Sequence, residues 1–177
     1  DLNIIVEDFL RILREENVAL IGGDFKVMPK GHIDRIVITT VALGRTSNPI
    51  VDEVKPGDKI IVSDYVGDHG AVIMLLQMGL GDKVEELSSG ALKSDVKPLS
   101  KIIPLMDKYK GGIHASRDPT RGGLAGVLNE WAKSSGLIIV LEESMIPVRE
   151  SVERYSEMLG IDPLYLASEG VAILSVD

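Results

Sequence analysis

Residues 117–132 read RDPTRGGLAGVLNEWA, and the change of character along this run decides the fold. Its first half is charged and glycine-rich, while its second carries Leu124, Val127, Leu128 and Trp131 at helical spacing. The pattern predicts a helix over 122–133 that opens on Arg117-Asp118-Pro119-Thr120-Arg121-Gly122-Gly123. In this reading Asp118 or Thr120 caps the first turn and Pro119 takes the first helical position. Gly122 and Gly123 leave backbone N–H groups open at the positive end of the helix dipole, and Arg121 adds a forked cation. Such an end suits phosphate oxygens, with Asp118 free to hold a metal ion. The same residues also fit a plain helix start whose glycines serve close packing. Neither the Walker nor the Rossmann glycine spacing is present.

Toward the C-terminus, Leu137–Leu141 reads as a strand, and Pro147 opens a helix with Val148, Val152, Tyr155 and Leu159 inward and Gly160 as its stop. Val171–Val176 is a final strand, and Glu169 in Ser168-Glu169-Gly170 is delivered just before it. Toward the N-terminus, Pro98–Tyr109 has helical spacing that Pro104 should split, and residues 80–97 read as a polar surface loop. Ala71–Met78 is apolar throughout, predicting a helix buried on most faces that closes at Gly79. Lys59–Ser63 is a strand, followed by Gly67-Asp68-His69-Gly70. There His69 is a candidate acid or base oriented by Asp68; a helix-start cap beside a satisfied histidine fits equally.

The turn Lys55-Pro56-Gly57-Asp58 is the expected domain seam. Before it, Val6, Phe9, Leu10 and Leu13 mark an amphipathic helix that stops at Asn17. Val18–Ile21 and Arg35–Leu43 read as strands, so this part is an α+β unit. Gly22-Gly23 turns the chain off the first strand and delivers Asp24, a hard oxygen ligand for Mg²⁺, and Lys26, a cation for phosphate. A tight turn with solvated polar residues is the plainer reading of that cluster.

Composition narrows the classes. The 177 residues carry 19 Lys plus Arg against 27 Asp plus Glu, a net charge of −8, and no basic run. That balance disfavours a nucleic-acid partner or an anionic membrane surface. With no cysteine, the chain holds no disulfide, no thiolate zinc site and no thiol nucleophile. No apolar run is long enough to span a bilayer, so a cytoplasmic protein is expected. The chain starts at Asp1 and ends at Asp177 directly after apolar residues, which reads as a segment of something longer.

Four further stretches complete a pattern with the first. RDPTRGGLAGVLNEWA, EESMIPVRESV and LGIDPLYLASEG, with GGDFKVMPKG and VSDYVGDHGAVIM before them, resemble the HypE family of hydrogenase maturation proteins. More broadly, the chain is similar to the superfamily of aminoimidazole ribonucleotide synthetase, thiamine-monophosphate kinase and selenophosphate synthetase. The resemblance implies an α+β, α/β fold. Residues 1–55 would be the later part of an N-terminal ATP-binding domain that forms a homodimer, and 56–177 most of a C-terminal α/β domain. It implies ATP and Mg²⁺, with Asp24 and Asp118 as metal ligands. Lys26, Thr120, Arg121, Gly122 and Gly123 would lie at the phosphates, with Lys26, Glu169 and His69 as catalytic candidates. The implied reaction is ATP-dependent dehydration of a cysteine-bound carbamoyl group to a thiocyanate, for the cyanide ligand of nickel–iron hydrogenase. A carbamoyltransferase and iron–cyanide assembly proteins are the implied partners. Phe25, Asp64 and Ser168 stand where the family favours Thr, Gly and Asn. A related small-molecule kinase and a non-catalytic dimerising paralogue are the alternatives.

Overall fold

The computed structural model describes residues 2–47, 49–81 and 92–177; much of the expected 80–97 loop therefore lies outside the described residues. The chain divides into two compact units, Asp1–Pro49 and Ile50–Asp177. Residues 52–54, ahead of the expected seam, are tied into the second unit. Val54 is buried in its core, and the Glu53 amide donates to the His114 carbonyl at 3.1 Å.

The first unit contains helix α1, Leu2–Glu15, ending at Asn17, whose φ of 57° supplies the left-handed stop. The expected strands Val18–Ile21 and Arg35–Leu43 do not form; residues 18–47 pair with nothing as a strand. Their apolar side chains are open to solvent, Ile21 at 83% and Val41 at 87% exposure. The β-forming composition is present, but a strand also needs a neighbour to take its backbone hydrogen bonds, and this unit offers none among its described residues.

The second unit is built on a three-stranded antiparallel sheet of β1 (Lys59–Val62), β2 (Ile113–Arg117) and β3 (Ile173–Val176), in the order β1-β3-β2. Among the described residues it carries four α-helices: α2 (Asp68–Gln77), α3 (Ile103–Tyr109), α4 (Gly123–Ser135) and α5 (Glu150–Leu159). Pro104 splits its segment as expected, since a 3-10 turn over Ser100–Ile102 precedes α3. One core cluster packs α4, through Leu124, Val127, Leu128 and Trp131, against Ala115 and Ile173 of the sheet. A second joins Ala71 and Leu75 of α2 to Val152 and Tyr155 of α5 and to Leu92 and Leu166.

Five expectations are corrected here. Helix α2 starts at Asp68, so Asp68-His69-Gly70 forms its first turn, and it is buried on one face only: Ile73, Leu76 and Met78 are exposed. Helix α4 starts at Gly123 behind Gly122, which has a φ of 75°, with no side-chain cap from Asp118 or Thr120. Pro119 precedes the helix and is fully buried instead of occupying its first turn. Pro147 likewise precedes α5, whose cap is Arg149. Leu137–Leu141 alternates in burial like a strand, Leu137 and Ile139 inward and Ile138 at 90% exposure, yet pairs with no neighbour among the described residues.

Asp58 locks the sheet's end. In the seam turn Gly57 has a φ of 93°, following Pro56 as a type II turn requires. This presents the Asp58 carboxylate to the Lys55 amide at 2.9 Å, the Ser175 hydroxyl at 2.6 Å and His114 Nδ1 at 2.9 Å. Burial pushes this carboxyl up, but the bonds from Ser175, Lys55 and His114 prevail and hold it below the usual Asp value. Because the folded value is depressed, the stabilisation is complete above the unfolded Asp value near pH 4 and is lost as pH falls below it. Asp58→Ala is expected to destabilise the protein by about 1–3 kcal/mol at pH 7. In urea unfolding the difference from wild type should shrink markedly at pH 3.

Candidate functional site

Three motif segments far apart in sequence meet in the second unit. The side chain of Ser168, fully buried, accepts the Gly67 amide at 2.8 Å, while its own amide donates to the Pro119 carbonyl at 3.0 Å. The Gly70 amide donates to the Ala167 carbonyl at 2.8 Å. One short stretch, 167–168, thus ties the start of α2 to the segment that leads into α4. Gly123 completes the junction. A Cβ there would lie 2.4 Å from the Leu164 carbonyl oxygen and 2.6 Å from that of Leu166, so only glycine fits.

Around this junction the predicted residues take distinct places. Asp118, Arg121 and Gly122 are exposed ahead of α4, and Thr120 is half-buried. Asp118 and Arg121 have no hydrogen-bond or ion-pair partner among the described residues, unlike the neighbouring Arg117, which pairs with Asp52 and Glu130. His69 and Glu169 are brought together, with His69 Nε2 4.0 Å from Glu169 Oε1. The other ring nitrogen of His69 is 2.9 Å from the Ser94 hydroxyl. Asp24 and Lys26 lie exposed in the first unit, where Asp24 accepts the Phe25 amide at 2.8 Å.

Asp68 does not orient His69. It is buried at 4% exposure and accepts from Arg149 Nε at 2.7 Å, and the Arg149 guanidinium lies 4.1 Å over the Tyr65 ring. Burial raises the Asp68 carboxyl above its ordinary value, with Arg149 opposing. Its Oδ1 has no partner among the described residues. Asp64 forms an ion pair with Lys97. That bond, with the Tyr65 amide, holds the Asp64 carboxyl below its usual range.

Sequence reasoning missed Arg149, Ser94, Asp95 and Lys97. Arg149 was hidden by the expectation that Pro147 already stood inside a helix. The other three sit in a polar stretch without periodicity, where residue type carries little signal. The buried role of Ser168 was equally invisible, since nothing local marks a serine whose partner is 101 positions away.

Among the described residues, no three His, Cys, Asp or Glu side chains gather around a point that could hold a metal. An exposed carboxylate such as Asp118 nonetheless fits Mg²⁺, which keeps several waters and takes one or two carboxylates beside phosphate oxygens. No helix among the described residues is long and apolar enough to cross a membrane.

Residues 55–177 match the model of the AIR synthase related protein, C-terminal domain. The chain belongs to this AIR synthase-related family. Within it, the chain is similar to the carbamoyl dehydratase HypE of Azotobacter vinelandii, being 40% identical over 176 residues, 98% of this chain and 50% of that protein. A crystal structure of hydrogenase maturation protein HypE in complex with ATP matches at a TM-score of 0.81 and 35% identity, covering 99% of this chain and 52% of that one. A HypE–HypF complex matches at 0.83 and 35%, covering 100% of this chain and 57% of that one. The chain spans about half the length of the curated relatives it matches.

Ser168→Ala strands the buried Gly67 amide and should cost about 1–3 kcal/mol of stability. Thermal or urea unfolding measures this; an unchanged midpoint would remove Ser168 as the keystone of the junction.

Proposed function

We propose that this chain is part of a HypE-like carbamoyl dehydratase that uses ATP to turn a cysteine-bound carbamoyl group into a thiocyanate. The observation that carries the reading is the pairing of unpartnered Asp118 and Arg121 with the Gly122-Gly123 start of α4, in a chain similar to HypE along nearly all its length. Helix α4 has 13 residues and aims its N-terminal amides toward this exposed end. In this reading Arg121 and those amides take phosphate oxygens, with Thr120 as a further donor. Asp118 holds Mg²⁺; for Asp24 as a metal ligand and Lys26 as a phosphate contact, the support is the similarity to HypE alone. The metal supplies charge neutralisation of the polyphosphate.

The reaction balances as follows. The carbamoyl oxygen attacks the γ-phosphorus, the bond to the β-phosphate oxygen breaks, and ADP leaves. The C–O bond to the new phosphate then breaks while the nitrogen gives up its protons, leaving a C≡N group on sulfur and free phosphate. In this reading Glu169 takes a proton from that nitrogen, and His69, whose Nε2 is 4.0 Å from Glu169 Oε1, receives charge from it. The acceptor thiol belongs to a cysteine outside these 177 residues, which contain none. A homodimer, a carbamoyltransferase and iron–cyanide assembly proteins complete the proposed setting.

Calorimetry of the full-length protein tests this. Mg-ATP should give a binding signal that Asp118→Asn weakens at least about tenfold, while Asp52→Asn, at the Arg117 pair, leaves it intact. No signal from the intact protein would sink the enzymatic reading and favour a non-catalytic relative.

A further inference from the structure

Residues 92–97 form a strap across the Ser168-Glu169-Gly170 loop, held by four separate anchors. Leu92 is 3% exposed in the α2–α5 core. The Ser94 hydroxyl is 2.9 Å from His69 Nδ1. Asp95 Oδ1 accepts the Glu169 amide at 2.8 Å. Lys97 forms its ion pair with Asp64, beside β1. The strap and the loop are in such close contact that a Cβ on Gly170 would fall 1.9 Å from the Asp95 carbonyl oxygen and 2.6 Å from Lys97 Cγ. Glycine at 170 is therefore a condition of the strap's seat.

Asp95 is the member that touches the Glu169 backbone. Glu169 has a side chain 39% exposed, and among the described residues His69 is the one polar partner of its carboxylate. Its position is set from behind, through its amide. The Asp95 carboxylate does this from a partly buried seat in which its second oxygen, Oδ2, has no partner among the described residues. A carboxylate kept in such a seat costs stability unless it is used. From this we infer that Asp95 is a positioning residue: by accepting the Glu169 amide, the strap fixes the Glu169 carboxylate beside His69 in the geometry the reaction requires. The inference rests on the proposed role of Glu169 as base.

The test uses the full-length protein and two readouts, hydrogen exchange at the Glu169 amide and ATP-dependent dehydration of the carbamoylated thiol. Asp95→Ala should speed exchange at Glu169 and lower kcat about tenfold or more with KM for ATP unchanged. Asp95→Asn, which keeps an acceptor oxygen, should restore both. Lys97→Met removes only a solvent-facing pair, keeps the fold, and should move both readouts in the same direction by a smaller factor. Unchanged exchange in Asp95→Ala and Lys97→Met overturns the inference. Faster exchange with kcat untouched, or an Asp95→Asn protein as impaired as the alanine variant, overturns it too. If the wild type does not dehydrate the substrate, the functional reading falls, and the exchange arm alone then decides whether the strap holds Glu169.

Discussion

The arrangement of the second unit depends on Ser168, whose hydroxyl holds the Gly67 amide and whose amide holds the Pro119 carbonyl. These two bonds bring three motif segments to one place. The first runs into α2 and carries His69; the second runs into α4 and carries Asp118 to Gly123; the third carries Glu169 itself. A hydroxyl can do this because it accepts and is small enough to be enclosed, and its seat at 0% exposure excludes water as a rival partner. The glycines around it serve the same close approach, Gly123 against the Leu164 and Leu166 carbonyls and Gly70 against the Ala167 amide.

The charges around this junction differ in burial. Asp68 is buried with Arg149, an ion pair whose desolvation offsets much of its attraction, so its value lies in fixing the first turn of α2 and not in net stability. Asp64–Lys97 and His69–Glu169 are partly open to solvent. Such pairs contribute little energy. Asp118 and Arg121 are left without partners among the described residues, which leaves their charge available. Asp58, by contrast, spends its carboxylate on Ser175, His114 and the Lys55 amide, and locks the sheet.

Much of this was legible in the sequence. The apolar periodicity of Leu124 to Trp131 located α4, and the turn at Lys55-Pro56-Gly57-Asp58, the Asn17 and Gly160 stops and the closing strand follow from local chemistry. The motif residues His69 and Glu169 were marked as chemistry, and they meet. What local patterns could not supply was partnership. Val18–Ile21, Arg35–Leu43 and Leu137–Leu141 have strand-forming residues, yet a strand exists only with a neighbour, and none is found among the described residues. His69 looked like a partner of Asp68 because they adjoin in sequence; on a helix's first turn adjacent side chains diverge, and Asp68 turns to Arg149. Asp95 and Lys97 matter through residues 74 and 33 positions away, a distance that no window of sequence covers.

The most direct test of the account asks whether the junction acts as one nucleotide-responsive unit. Backbone hydrogen exchange of the full-length protein, with and without Mg-ATP, reads this. The account predicts that nucleotide slows exchange together in residues 117–124 and 166–170, segments joined through Ser168. Protection absent from both, or confined to residues 54–60, 62, 137–142 and 145–147 at the cavity of about 520 Å³ that they line, would contradict it.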